Sequence, residues 1–115
     1  MSFSENTEKL VNVLIDEEYK NACSKYGFKY HSLHEAYAVL LEEMEEAEEG
    51  HSANKLFLNI LWDNIKGKPI YRTNYDCLDK MLNNVKYTIS ELAQVGAVLM
   101  KIRNTLEDNK CKDVQ

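Results

Sequence analysis

One proline and four glycines in 115 residues leave this chain almost without helix breakers. Gly and Pro are the strongest local terminators, so their scarcity favours long helices over short strands joined by turns. Those present divide the chain into stretches. Gly27, Gly50 and Gly67 each follow a run of helical periodicity, and Pro69 lies in the one segment that reads as a loop.

The first stretch runs from about Glu5 to Lys25, with Leu10, Val11, Leu14, Ile15, Tyr19 and Ala22 at helical spacing. Ser4, or Ser2 with Glu5 three residues on, can cap its start. The second opens at Ser32, whose Ser-x-x-Glu pattern to Glu35 is a capping box, and continues to about Glu49. The third, Ser52 to Lys66, carries Leu56, Phe57, Ile60, Leu61 and Ile65 on one stripe, and Gly67 to Asn74 reads as a loop. From Asn74 the apolar positions Leu78, Met81 or Leu82, Val85, Ile89, Leu92, Gly96 and Leu99 keep a helical repeat to about Leu106. That is one helix of about 33 residues, roughly 50 Å at 1.5 Å per residue, or two helices meeting near Asn83-Asn84. A 50 Å helix overhangs a globule of this size, so part of its stripe is expected to pack on another copy. The expected architecture is an all-α, four-helix bundle-like single domain over residues 1–107. Oligomerisation to a homodimer or homotetramer completes it, and residues 108–115 form a frayed tail.

Composition narrows the function. Charged residues make up 29% and hydrophobic residues 44%, which fits neither a disordered tail nor a membrane protein. A formal net charge of −5 argues against nucleic acid as a partner unless a local basic patch overrides it. No apolar run approaches the roughly 20 residues that span a bilayer, and the N-terminus lacks the basic start and apolar run of a signal peptide. Cys23, Cys77 and Cys111 are an odd count without CxxC or zinc spacing, so free thiols and a reducing, cytoplasmic setting are expected.

The stretch His34 to Glu49 is crowded with carboxylates, and like charges on one helix cost stability. A helical projection with Leu40 at zero puts Leu33, Tyr37, Leu40, Met44 and Ala47 on one arc, the expected core face. Glu43 falls about 60° and Glu46 about 120° to one side, bordering that face, whereas Glu42, Glu45 and Glu49 point mainly to solvent. On the last helix, Glu91 falls within the arc of Val95, Val98 and Ile102, with Gln94 one turn on. A buried carboxylate is expensive unless it is paired or coordinated. Carboxylates from two packed helices can hold a divalent cation inside a bundle. The plainer readings are a solvated acidic face for the second helix and, for Glu91, an ion pair with Lys101 or Arg103 of a partner copy. His31 and His34 form an H-x-x-H pair, but zinc needs more ligands, and capping and surface contact are the simpler roles.

The pattern Glu42-Glu43-x-x-Glu46 followed by Glu91-x-x-Gln94 resembles the MazG-like all-α nucleoside triphosphate pyrophosphohydrolases, whose motif is E-E-x-x-E and then E-x-x-D on a later helix. The phrases HEAYAVLLEEMEEAEE and ELAQVGAVLMK are similar to small MazG-like proteins of phage and prophage origin. The resemblance covers roughly residues 30–105, and only these two stretches are specific. It implies that Glu43, Glu46, Glu91 and Gln94 hold Mg²⁺ or Mn²⁺, that Glu42 or Glu46 takes a proton from water, and that a nucleoside triphosphate is cleaved to a monophosphate and pyrophosphate. Lys66, Lys68 and Arg72 are then the local cations for phosphate, and Trp62 or Tyr71 could stack on a base. Each of these also fits an ordinary turn, core or interface. Two departures stand out. Gln94 replaces the family's aspartate and removes one anionic ligand. About 44 residues, with a helix among them, separate the motifs. The rival expectation is a non-catalytic helical interaction protein of phage origin, whose acidic helix is a solvated or partner-binding face. A further one is an acidic surface for a basic partner, with binding that falls steeply with salt.

Overall fold

A computed structural model describes residues 4–67 and 71–114, with the backbone alone at 71–73 and 109–114. The described residues form three helices and no strand: α1 (Glu5–Tyr26), α2 (Leu33–Lys66) and α3 (Tyr71–Val114). None of these is long and apolar enough to cross a membrane.

The helix ends follow local chemistry. Ser4 caps α1, its hydroxyl accepting from the Thr7 amide at 3.2 Å. Gly27 ends that helix with φ 86°, a value that an L side chain adopts only with strain, and its amide donates to the Cys23 carbonyl at 2.8 Å. The capping box at α2 is formed. The Glu35 amide donates to Ser32 Oγ at 3.1 Å, and the Glu35 carboxylate reaches back to the His31 amide at 3.3 Å.

The expected break at Gly50 is absent, so three helices stand where four were expected. Gly50 lies inside α2 because α3 passes too close for a side chain there. An added Cβ would collide with Thr88 Oγ1 and lie 3.0 Å from Tyr87 Cδ1. Its glycine therefore serves helix contact rather than termination. The loop expected up to Asn74 is also shorter, since α3 already begins at Tyr71. No break occurs at Asn83-Asn84, and α3 continues past Leu106 to Val114.

The chain divides into two compact units, Met1–Met44 with Leu92–Gln115, and Glu45–Glu91. In the first, α1 lies along the later part of α3. Gly96 faces Ile15, whose carbons would stand 3.0 Å from an added Cβ, and Asn104 donates to the Tyr19 hydroxyl at 2.5 Å. Contacts advance together along both helices, so these segments run in the same direction. The α1–α2 connection is fastened to α3 by the Tyr30 amide, which donates to Thr105 Oγ1 at 2.9 Å, and by Lys29 with Asp108 at 3.2 Å.

The second unit is an antiparallel helical hairpin. Asn54 Nδ2 donates to the Met81 carbonyl at 3.1 Å, Asn84 Nδ2 to Asn54 Oδ1 at 3.0 Å, and Cys77 Sγ to the Phe57 carbonyl at 3.4 Å. A pair of helices has only one shared seam, and here it is lined by small and polar groups.

Most buried apolar residues are small: Ala36, Ala47, Ala93, Ala97, Val98 and the thiols Cys23 and Cys77. The arc expected to be the core face of the second helix is corrected accordingly. Leu33, Tyr37 and Met44 are exposed, and α2 turns Ala36, Leu40, Glu43 and Ala47 inward instead. On α3, Leu78, Leu82, Val85 and Ile89 of the second unit are exposed at alternating four- and three-residue steps, and Leu92, Leu99 and Leu106 of the first continue at seven.

Candidate metal and anion site

The inward rotation of α2 explains which glutamates matter. Small Ala36 and Ala47 bring its backbone close to its neighbours, and Glu43 and Glu46 flank that contact half-buried, whereas Glu42, Glu45, Glu48 and Glu49 are exposed. Glu43 and Glu46 stand one helical turn apart and offer oxygens within 4.8 Å of each other. Within the second unit, Glu46 and Glu91 also offer oxygens within 4.8 Å, and Glu91 is half-buried as the arc of α3 predicts.

The first unit contains a cavity of about 650 Å³, lined among others by Glu42, Glu43, Gln94 and Lys101. Gln94 thus meets the first acidic motif there. Lys101 is only 5% exposed. Its ammonium lies 4.2 Å from the centre of the Tyr30 ring and 5.9 Å from that of Tyr26. Among the described residues it makes no ion pair with a carboxylate. Burial raises the Tyr30 phenol above its ordinary value of 10.0, reinforced by the carboxylates of Glu43 and Glu35 and by Cys23.

Lys101 was expected only as an ion-pair partner for Glu91, and its burial was missed. The available signal was its register: Ala97, Lys101 and Thr105 follow one another at four-residue steps on the buried face of α3. Arg103, the other expected partner, is exposed and pairs along its own helix with Glu107 at 3.6 Å.

The phosphate cations expected near the α2–α3 connection fare differently. Lys66 pairs with Asp63 at 3.6 Å and lies 5.5 Å from the Trp62 ring centre. Lys68 lies outside the described residues, as do the side chains of Arg72, Tyr71 and Cys111. Trp62 is exposed, and His31 and His34 are exposed at the start of α2.

The donor set is all oxygen, which suits Mg²⁺ or Mn²⁺ over softer ions. Two oxygens bound to one Mg²⁺ stand at most about 4.2 Å apart, twice the usual Mg–O distance of 2.1 Å. Oxygens within 4.8 Å of each other are near that limit. No family model, no curated protein and no solved structure matches the chain.

Proposed function

We propose that this protein is a Mg²⁺-dependent nucleoside triphosphate pyrophosphohydrolase of MazG-like type, cleaving a triphosphate to a monophosphate and pyrophosphate. The observation that carries the reading is the Glu46–Glu91 pair, two half-buried carboxylates from separate helices with oxygens within 4.8 Å. Like charges held so close repel, and a divalent cation turns that cost into binding.

In this reading Glu46 and Glu91 are ligands within the second unit, and the family resemblance adds Glu43 and the neutral amide of Gln94 to the set. When bound, Mg²⁺ neutralises charge on the triphosphate and favours attack by water. Glu42 lines the same cavity as Glu43 and is exposed, so its carboxylate is free to accept the proton that water loses. The water oxygen bonds to the α-phosphorus, the bond from that phosphorus to the bridging oxygen breaks, and pyrophosphate leaves with the bonding electrons. The exposed stripe Leu78, Leu82, Val85 and Ile89 supports the oligomer within this proposal. A two-helix unit cannot cover such a row itself, and a second hairpin packed against it completes four helices.

Two measurements test the reading. Calorimetry with Mn²⁺ is expected to show saturable binding that Glu91→Ala abolishes. A screen of nucleoside triphosphates for released pyrophosphate is expected to give activity that the same variant loses. Folded wild-type protein that binds no Mn²⁺, with or without nucleotide, would instead favour the non-catalytic interaction protein.

A further inference from the structure

Lys101 is a cation buried without a carboxylate partner among the described residues, and the carboxylate reading gives it no task. Two structural facts hold it in place. Thr105 Oγ1, on a residue 3% exposed, donates to the Lys101 carbonyl at 3.0 Å and accepts from the Tyr30 amide at 2.9 Å. The Tyr30 backbone is thereby anchored beside Lys101, and its ring centre lies 4.2 Å from the ammonium. An aromatic face recovers only part of what a cation loses on leaving bulk water. Lys101 also lines a cavity of about 650 Å³, within the range of small-molecule sites, where an anion would pair with it.

We propose that Lys101 binds the polyphosphate chain of the substrate, in a pocket built by the first unit; the proposal rests on the pyrophosphohydrolase reading for the identity of that anion. Lys25 lines the same cavity and adds positive charge, as does Lys29, which also pairs with Asp108. Glu18, Glu35, Glu42 and Glu43 line it too, and they repel a bare anion. The pocket therefore selects an anion that arrives with a divalent cation: the carboxylate side meets the metal, and the Lys101 side meets phosphate oxygens. The half-buried Tyr30 ring then lowers the local dielectric and strengthens the ammonium–phosphate contact. Lys66, the phosphate cation expected from the sequence, lies in the second unit and does not line this cavity. Lys66 is already engaged with Asp63 and Trp62.

The probe is inorganic tripolyphosphate, titrated by calorimetry with and without Mn²⁺ into wild type, Lys101→Met and Lys101→Arg, each checked for helix content. The expected result is Mn²⁺-dependent binding that weakens at least tenfold in Lys101→Met and less in Lys101→Arg. Binding in Lys101→Met within twofold of wild type overturns the proposal. So does wild-type protein that binds Mn²⁺ but not tripolyphosphate. Should Lys101→Met fail to fold, the wild-type lysine side-chain resonances decide. The Tyr30 ring shifts the Lys101 signal upfield, and tripolyphosphate is expected to move it while Lys80, 5.9 Å from the Phe57 ring centre, serves as control. An unmoved Lys101 signal overturns the proposal. Failure of the catalytic reading looks different: tripolyphosphate binding that depends on Lys101, with no pyrophosphate released from any nucleoside triphosphate, leaves the anion site standing and removes the reaction.

Discussion

Glu46 on α2 and Glu91 on α3 stand far apart in sequence, yet their carboxylate oxygens lie within 4.8 Å of each other. Neither is on the open face of its helix. Both are half-buried, so the repulsion between them is screened less than on a surface.

That pairing predicts that Glu91→Gln loses the stabilisation that a bound cation confers. With Mg²⁺ at about 100 times its dissociation constant, wild type gains about 2.7 kcal/mol and the variant gains little. Thermal melts in chelator and in Mg²⁺ check this, and an equal Mg²⁺ shift in both proteins would sink the assignment.

Gln94→Asp restores a carboxylate to the second motif. It lines the same cavity as Glu42 and Glu43, so a fourth anionic oxygen is expected to tighten Mn²⁺ binding on the order of tenfold. Calorimetry at fixed ionic strength reads this directly, and unchanged affinity would remove position 94 from the ligand set.

Gly50→Ala is expected to destabilise the protein by about 1–3 kcal/mol, although alanine is the better helix former by about 1 kcal/mol. The added methyl collides with Thr88 Oγ1 and crowds Tyr87. Thr88→Ala in the same chain should recover part of the loss, which urea unfolding of the single and double variants would resolve.

Thr105→Val keeps the shape of a side chain that is 3% exposed and removes its hydroxyl. The Tyr30 amide then loses its acceptor, at a cost of about 1–3 kcal/mol. Chemical denaturation measures the loss, and the Lys101 signal should move because the Tyr30 backbone beside it is no longer anchored.

Tyr30 should titrate above the ordinary tyrosine value of 10.0. The folded state holds this proton more tightly than the unfolded chain. Its contribution is therefore complete below pH 10 and is lost as pH rises from there through the folded pKa. Ultraviolet titration is expected to lose a late-ionising component in Tyr30→Phe. Glu43→Gln should bring the Tyr30 ionisation down, since that carboxylate helps to raise it.

Local chemistry was legible in the sequence wherever a few neighbouring residues decide the outcome. The Ser32–Glu35 capping box and the ends at Gly27 and Gly67 are set by backbone bonds within one turn. The half-burial of Glu43, Glu46 and Glu91 followed from helical projection, because 100° per residue fixes which side chains share a flank. The all-helical class followed from the scarcity of breakers.

Only tertiary structure decided the rest. Gly50 reads as a terminator, but the close passage of Thr88 gives that glycine a different reason to exist. Leu33, Tyr37 and Met44 form the most apolar arc of α2, yet α2 buries Ala36 and Ala47, because small side chains let helices approach while large ones hold them apart. Lys101 falls in register with Ala97 and Thr105, yet a charge is ordinarily solvated, and its burial depends on the Tyr30 ring and a threonine held near it by the fold. A sequence specifies which residues share a helix face; which face finds a neighbour depends on the fit between surfaces distant along the chain.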